Sequence, residues 1–305
     1  MRGRRPLSLV MLIVAILLVP HVVLGQEFRT IDYPGATLTV AVGISADGKI
    51  VGYYKRIDKV EGKDVTTTHG FLLDKRGFSS IDYPGATFTD AWAINAAGDI
   101  VGSYYGVTGP QRGYLLRHGS FTPIDVPGAN FTAGFGINSE GDIVGHTGFP
   151  PTGRMNGFLL RNGGFTTHDH PLPNQMTCGM GVGPGGQIVG HYQDPASIGG
   201  RVHGFLWNEG IFTTIDPEGG KNTQAYGINP EGEIVGFYTE IANNKVHGFV
   251  RDRSGSFTQI DVPGAVNTWV RRNNPRGDLV GSYTRVDDVG GKMITTTHGF
   301  LMSAK

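Results

Sequence analysis

Six aspartates recur at spacings of 43 to 50 residues, and such a series of carboxylates could bind metal ions or polar substrates. Each is followed within two residues by Pro, usually Pro-Gly, where Asp accepts hydrogen bonds from the next backbone amides and Gly supplies an open dihedral. A residue present in every copy of a repeat is more simply explained as scaffold. We therefore predict structural turn roles for Asp32, Asp82, Asp125, Asp169, Asp216 and Asp261.

Histidines suggest a second chemistry, the binding of a transition metal. His168 and His170 share one face of a predicted strand and would need His191 to come close, because ligands must converge within about 2 Å of the ion. As residues of an outer and an inner strand they could be too far apart, so the metal site stays an open hypothesis. His69, His203, His247 and His298 share one register of the repeat and are predicted to form hydrogen bonds at the start of a strand.

The positions that break the repetition are the better candidates for function. A Thr starts one predicted strand in all six copies, and the residues one and three places after it vary. They include flat rings for stacking, and an acid, an amide and a guanidinium for directed hydrogen bonds, which suit a small polar ligand or a sugar. The alternative is that the rings only pack between sheets. The candidate ligand-binding residues are Asp90, Trp92, Gln224, Tyr226, Trp269 and Arg271.

The last copy departs further, because Arg271-Arg272-Asn273-Asn274 replaces the usual small residue, Gly, Ile and Asn. Charge introduced into a packed strand needs a partner or a function.

Three phrases recur in one order, six times each, and define the elements that must position these residues. The phrase FxxID is followed by G-[DKEQ]-[IL]-V-G and by [HRN]-G-[FY]-[LV], and the repeats start at 28, 78, 121, 165, 212 and 257. Each repeat reads as four short strands, because β-branched and aromatic runs alternate with Gly, Pro, Asn and Asp. Such repeats predict an all-β fold, a six-bladed β-propeller of four-stranded antiparallel blades over residues 26–305.

The phase of the repeat predicts how the ring closes. The sixth copy ends on its His-Gly-Phe strand without the FxxID strand that follows every other copy. Pairing the N-terminal strand (28–32) with the C-terminal strand (298–302) would complete the sixth blade and leave no exposed edge. The Pro-Gly-Ala connections and the variable connections before His-Gly-Phe emerge on one face, which is the candidate functional face because variable loops over a rigid scaffold usually carry function.

The combined phrases GIN, G-[DE]-IVG, HGFL and FTxIDxPGA resemble the HAF-type extracellular repeat family of exported bacterial proteins, and the resemblance covers essentially all of 28–305. It implies a propeller-like, extracellular protein of unassigned biochemistry. This chain has His-Gly-Phe where the family name implies His-Ala-Phe. The resemblance supplies no catalytic residues, so it bears on fold and location only.

Residues 1–25 have the layout of a signal peptide, with a basic head, a short apolar run and a small-residue cleavage pattern. We expect a secreted, extracellular or periplasmic protein with no integral membrane segment after cleavage; whether the leader is cleaved or retained as an anchor stays open. The remainder holds 23 basic and 26 acidic residues, a formal net charge of −3, which does not favour nucleic acid as a partner. The single Cys178 excludes an intramolecular disulfide.

Two functions remain in view. The first is a non-enzymatic binding or scaffolding module, expected to be a monomer without a cofactor, whose variable-loop face binds a glycan or an extracellular protein. The second is a propeller hydrolase or lyase that acts on a polysaccharide or a lactone at the channel mouth. An enzyme needs at least two titratable groups within hydrogen-bond reach of one substrate atom.

Overall fold

The computed structural model describes residues 27–304, without 61, 107, 152–153, 172–175 and 195–200. The predicted signal peptide, residues 1–25, lies outside the described residues. Within the described part the chain is all-β, with 24 strands and no helix. It therefore holds no helix long and apolar enough to cross a bilayer.

The strands form six units of four antiparallel strands each, called here sheets 1 to 6. The first strands are β2 (Leu38–Ile44), β6 (Phe88–Ile94), β10 (Phe131–Ile137), β14 (Thr177–Val182), β18 (Gly220–Ile228) and β22 (Asn267–Asn273). The second strands are β3 (Ile50–Val60), β7 (Ile100–Tyr105), β11 (Ile143–Phe149), β15 (Ile188–Gln193), β19 (Ile234–Glu240) and β23 (Leu279–Val289).

The third strands are β4 (Lys63–Asp74), β8 (Arg112–Arg117), β12 (Arg154–Arg161), β16 (Val202–Asn208), β20 (Val246–Arg251) and β24 (Lys292–Ser303). The fourth strands are β5 (Gly77–Ile81), β9 (Ser120–Ile124), β13 (Gly164–Thr167), β17 (Ile211–Ile215), β21 (Phe257–Ile260) and β1 (Glu27–Ile31). Sheets 1 and 2 are joined by a single parallel bridge between Thr68 and Phe88.

The fourth strand of sheet 6 comes from the other end of the chain. β1 pairs with β24 in antiparallel register, from Glu27 opposite Ser303 to Ile31 opposite Gly299. The segments 28–32 and 298–302 are therefore neighbours. Each first strand also contacts the first strands of two other sheets, and β2 contacts both β6 and β22.

Two of the repeated phrases explain each other through packing. The last Gly of G-[DKEQ]-[IL]-V-G lies where a Cβ would overlap a first-strand carbonyl oxygen and approach the aromatic ring of the third strand; for Gly52 these are Val40 and Phe71. The same glycine frees the space that this ring fills. The six rings are fully buried: Phe71, Tyr114, Phe158, Phe205, Phe249 and Phe300.

The apolar core lies mainly between neighbouring sheets. One cluster combines Val51 and Ile81 of sheet 1 with Ala91, Ile100 and Tyr114 of sheet 2. Burying both faces of each sheet in this way holds the first strands side by side, with their side chains directed to a common centre.

The turn aspartates work through side-chain partners rather than through the backbone amides that the sequence analysis expected. Each bonds the residue that begins the His-Gly-Phe phrase of the third strand, as in Asp82 with His69 Nδ1 at 2.6 Å. The pairs are Asp32–His298, Asp82–His69, Asp125–Arg112, Asp169–Asn156, Asp216–His203 and Asp261–His247. The predicted aspartate and histidine series are thus two halves of one structural contact.

Candidate functional site

A β-bulge in every first strand sets the direction of the candidate side chains. The pairing with the second strand skips one residue in each sheet, as between Ala91 and Ala93 of sheet 2. A bulge re-aims the extra side chain. The extra residues are Val42, Trp92, Phe135, Met180, Tyr226 and Arg271.

Side chains from all six sheets meet at the centre in what we call the central cluster: Tyr53, Trp92, Phe135, His146, His191, Tyr226, Phe237 and Arg271. Trp92 of sheet 2 lies edge-on to Phe135 at 4.8 Å between ring centroids, and it stacks toward Tyr226 of sheet 5 at 6.3 Å. Tyr53 lies 6.2 Å from Trp92. Trp92 and Tyr226 therefore pack in one group of rings, while Trp92 keeps partial exposure.

Arg271 lies on an aromatic face. Its guanidinium carbon is 4.5 Å from the centroid of Tyr226 and 5.0 Å from that of Phe237. A cation over a ring is attracted by the negative ring face. Arg271, Gln224 and Trp269 are partly exposed, and the Tyr226 hydroxyl donates to Gln224 Oε1 at 3.2 Å. These residues form the accessible edge of the central cluster.

Asp90 does not offer its carboxylate to the surface. It is 3% exposed, and its Oδ1 accepts from the backbone amide of Ser103 at 2.6 Å, while the Ser103 hydroxyl donates at 3.0 Å. Gln111 donates to that hydroxyl at 2.7 Å. Burial raises the pKa of Asp90 to about 7, against the lowering effect of the Ser103 hydrogen bonds. Asp90 is a buried member of a polar network beside the cluster.

Four polar atoms around the centre are buried without a hydrogen-bond partner. Among the described residues they are Trp92 Nε1, which lies near the Asp90 carboxylate without a well-aligned hydrogen bond, and His146 Nδ1, His191 Nδ1 and Arg271 Nε. Buried polar atoms in native proteins are nearly always paired with protein, water or ligand. Burial lowers the pKa of His146 to about 4 and that of His191 to about 3, so both rings are neutral at pH 7. The cluster thus holds neutral polar groups with unused bonding capacity.

The three histidines of the metal hypothesis are in different surroundings. His168 is buried with both ring nitrogens unpaired, and His170 stacks on Tyr192 at 3.9 Å. His191 lies in the central cluster, where His146 and Arg271 oppose its protonation. No group of three His, Cys, Asp or Glu residues in the described part of the chain could hold a metal ion. The geometry therefore does not bring His168, His170 and His191 together as ligands.

Arg272 is held by hydrogen bonds to the backbone of two other sheets. Its Nη2 donates to the carbonyl oxygens of Phe135 and Met180, both at 2.6 Å. Burial lowers its pKa to about 10, so the guanidinium stays charged at pH 7. It borders a cavity of about 80 Å³ where equivalent positions of all six first strands meet. The charge that the sequence analysis noted is held by backbone dipoles of two other sheets.

The second-strand half of the cluster was not predicted from the sequence. Tyr53, His146, His191 and Phe237 each directly follow the V-G of the second phrase, and each lies opposite a candidate position of the first strand, as His146 lies opposite Ala133. His191 was considered only as a metal ligand. The signal was available, since this position reads Tyr53, Ser103, His146, His191, Phe237 and Ser282 within an otherwise constant phrase.

Comparisons with known proteins define the fold and not the activity. No protein-family profile and no curated protein sequence matches the chain. Among solved structures it is similar to TolB from Acinetobacter baumannii, with 12% identity and a TM-score of 0.54 over 85% of this chain and 64% of that one. It is also similar to a putative TolB from Agrobacterium tumefaciens, with 14% identity and a TM-score of 0.54 over 88% of this chain and 91% of that one.

A gluconolactonase from Xanthomonas campestris shows 12% identity and a TM-score of 0.51 over 91% of this chain and 89% of that one. The chain spans less than two thirds of the length of the Acinetobacter protein. At these identities the likeness concerns the fold alone, and the TolB neighbours are propellers, so the chain has a propeller-like all-β fold.

Proposed function

We propose that this protein is an exported, non-enzymatic binding module of the HAF-type repeat class, built as a closed six-bladed propeller, whose ligand is a glycan at the accessible edge of the central cluster. The pairing of β1 with β24 and the contacts of β2 with β22 support ring closure. The leader-like residues 1–25 and the repeat phrases support export.

The main support for this binding site is the set of unpaired polar atoms among aromatic rings. Trp92 Nε1 and Arg271 Nε are potential donors, and each neutral histidine ring can donate or accept. A sugar presents hydroxyls to such groups and apolar C–H faces to rings, and Trp269 and Arg271 are partly exposed beside them. A ligand that satisfies these atoms would remove the cost of leaving them unpaired.

The alternative, a hydrolase or lyase acting on a polysaccharide or lactone, has less support. Its acid or base would have to be Asp90, whose carboxylate is 3% exposed and engaged by Ser103. His146 and His191 are partly exposed, and partial burial of their rings keeps them neutral at pH 7. A general acid–base mechanism requires two titratable groups within reach of one substrate atom, and the only carboxylate proposed for that role is buried against Ser103.

A glycan array with purified protein tests the proposal. The key variant is Arg271→Gln, with Arg29→Gln as the matched control because Arg29 is an exposed arginine of β1, remote in sequence from the cluster. We expect wild type and the control to bind the same glycans, and Arg271→Gln to bind them about tenfold more weakly, equivalent to about 1.4 kcal/mol. Equal binding by all three proteins, or no bound glycan, would refute the central site.

A further inference from the structure

A groove of about 360 Å³ opens between sheets 4 and 5, at the end where the tight turns between first and second strands lie. Leu206, Ile228 and Ile234 contribute apolar lining, and Gln187, Asn208 and Asn229 contribute amides. Arg251 and Arg253 complete the wall. We call this the basic groove; it includes Ile228, the last residue of β18, two residues after Tyr226 of the central cluster.

One cause of the groove is a departure from the repeat at position 251. Arg251 lies opposite Ile234, and the residues at the same register of the other sheets are Leu73, Leu116, Leu160, Trp207 and Met302. Those apolar side chains pack into the core clusters between sheets. Arg251 therefore stands where an apolar side chain would otherwise fill the space between neighbouring sheets.

A second cause lies in sheet 4. In sheets 2 and 3 the residue that follows the register position of Arg251 is an arginine. It forms an ion pair with the Asp of the Gly-Asp-Ile phrase: Arg117 with Asp99 and Arg161 with Asp142, both at 2.7 Å. Sheet 4 has Asn208 and Gln187 at these two positions. The ion pair is therefore replaced by two amides, and both line the groove.

The positive charge of the groove comes from Arg251 and Arg253. Within the described residues, neither Arg251 nor Arg253 forms an ion pair, and Arg253 Nη2 donates to the Pro230 carbonyl oxygen at 3.3 Å. Two acids close to the groove in sequence bond other groups: Glu233 accepts from Asn229 Nδ2 at 2.8 Å, and Asp252 accepts from Ser254 and Ser256. Glu209 and Glu231 are exposed in the adjoining turns. Two guanidinium groups and the amides of Gln187 and Asn208 thus line one apolar-floored space, while both polar atoms of the Asn229 side chain bond Glu233.

We propose that the basic groove is a second binding site, which takes a small organic oxyanion: a carboxylate or a phosphate ester carried on a sugar-sized body. Guanidinium groups bind planar carboxylates and phosphates through two parallel hydrogen bonds, and side-chain amides orient the rest of such a ligand. The floor of Leu206, Ile228 and Ile234 covers its apolar side. None of the residues that line the groove belongs to the central cluster.

The test is titration calorimetry of the whole protein at low ionic strength with four probes: galacturonate, glucose 6-phosphate, inorganic phosphate and neutral galactose. The variants are Arg251→Leu and Arg253→Gln. Arg251→Leu restores the residue found at this register in sheets 1 to 3, so it is expected to fold, as circular dichroism would verify. Arg29→Gln is the matched control for loss of one surface charge.

We expect one-to-one binding of galacturonate or glucose 6-phosphate, which identifies a carboxylate or a phosphate ester respectively, and no binding of galactose at the groove. Each groove variant should weaken that binding about tenfold or more, since each removes a charged bidentate donor, while Arg29→Gln leaves it unchanged. Absence of binding by both organic anions overturns the proposal, as does affinity unaffected by either groove variant. If inorganic phosphate binds as tightly as glucose 6-phosphate, the groove does not recognise the organic part of the ligand, and that part of the proposal is wrong.

Discussion

A buried threonine at the start of each first strand fixes the turn that precedes the strand. In five sheets its Oγ1 accepts a hydrogen bond from the backbone amide after the turn aspartate, as Thr132 does from Val126 at 3.1 Å. The equivalent acceptors are Thr39, Thr89, Thr177 and Thr268. In sheet 5 the residue after Asp216 is Pro217, which has no N–H. Thr223 Oγ1 is consequently buried without a partner.

Because of this exception, the same substitution should have different effects on stability at two equivalent sites. Thr132→Val leaves the Val126 amide buried and unpaired, and should lower the free energy of unfolding by about 1–3 kcal/mol. Thr223→Val removes an unpaired hydroxyl and should change it by less than about 1 kcal/mol, or raise it. Both threonines are fully buried, so the pair is matched for packing. Urea unfolding measures the difference; equal losses at both sites would contradict the assignment.

At the scale of the element, the second and third strands depend on close approach at one glycine. A Cβ on Gly145 of β11 would overlap the Ala133 carbonyl oxygen and come within 2.8 Å of the Phe158 ring. The atoms on one side are backbone, so they cannot move aside as a flexible side chain could. The first three strands of a sheet are thereby held in one arrangement.

Gly145→Ala is therefore expected to lower the free energy of unfolding by about 3 kcal/mol or more, or to prevent folding. Gly164→Ala in the exposed part of β13 is the matched control, because the nearest atom to its added Cβ lies at 3.6 Å. We expect the control to fold with a melting temperature close to that of the wild type. Thermal denaturation followed by circular dichroism compares the two, and a well-folded Gly145→Ala of normal stability would disprove the close-approach argument.

The elements show what could be predicted from the sequence. Repeated phrases, tight-turn glycines and alternating runs predicted four-stranded antiparallel units, because these depend on local pattern. The candidate site was predicted only on the first strands. Its second-strand members, such as Tyr53 and His146, reach the cluster because of the cross-strand register and a β-bulge. The spacing of residues along the chain predicts neither the register nor the bulge. The burial of Asp90 behind Ser103 depends on the same register.

The molecule as a whole buries ionisable groups that lack opposite charges. Burial lowers the pKa of His146 and His168 to about 4 and that of His191 to about 3. Burial raises the pKa of Asp90 to about 7. His168 stands at the register occupied by Ile31, Ile81, Ile124, Ile215 and Ile260 in the other sheets, where its ring packs against Gly157 and Gly179. The stability of the protein therefore depends on the protonation of groups in its interior.

The direction of that sensitivity follows from proton linkage. Below pH 6.5 the unfolded chain protonates its histidines, while the three buried rings stay neutral down to about pH 4, so stability is lost as the pH falls. Asp90 acts oppositely, because its folded form holds a proton that the unfolded form releases above pH 3.8. With one proton worth about 1.4 kcal/mol per pH unit, these four groups together contribute a loss of about 2 kcal/mol from pH 6 to pH 5. The lowered pKa of His170 adds to this loss, and the raised pKa of His247 offsets it.

Urea unfolding at pH 6 and pH 5 measures this loss, and His168→Ile is the variant that isolates one proton. The isoleucine side chain fits the same register in five other sheets and leaves no nitrogen unpaired. The variant should be more stable than the wild type at both pH values, and its loss between them should be smaller by about 1 kcal/mol. A wild type equally stable at both values, or a variant with the full loss, would show that these rings protonate in the folded protein.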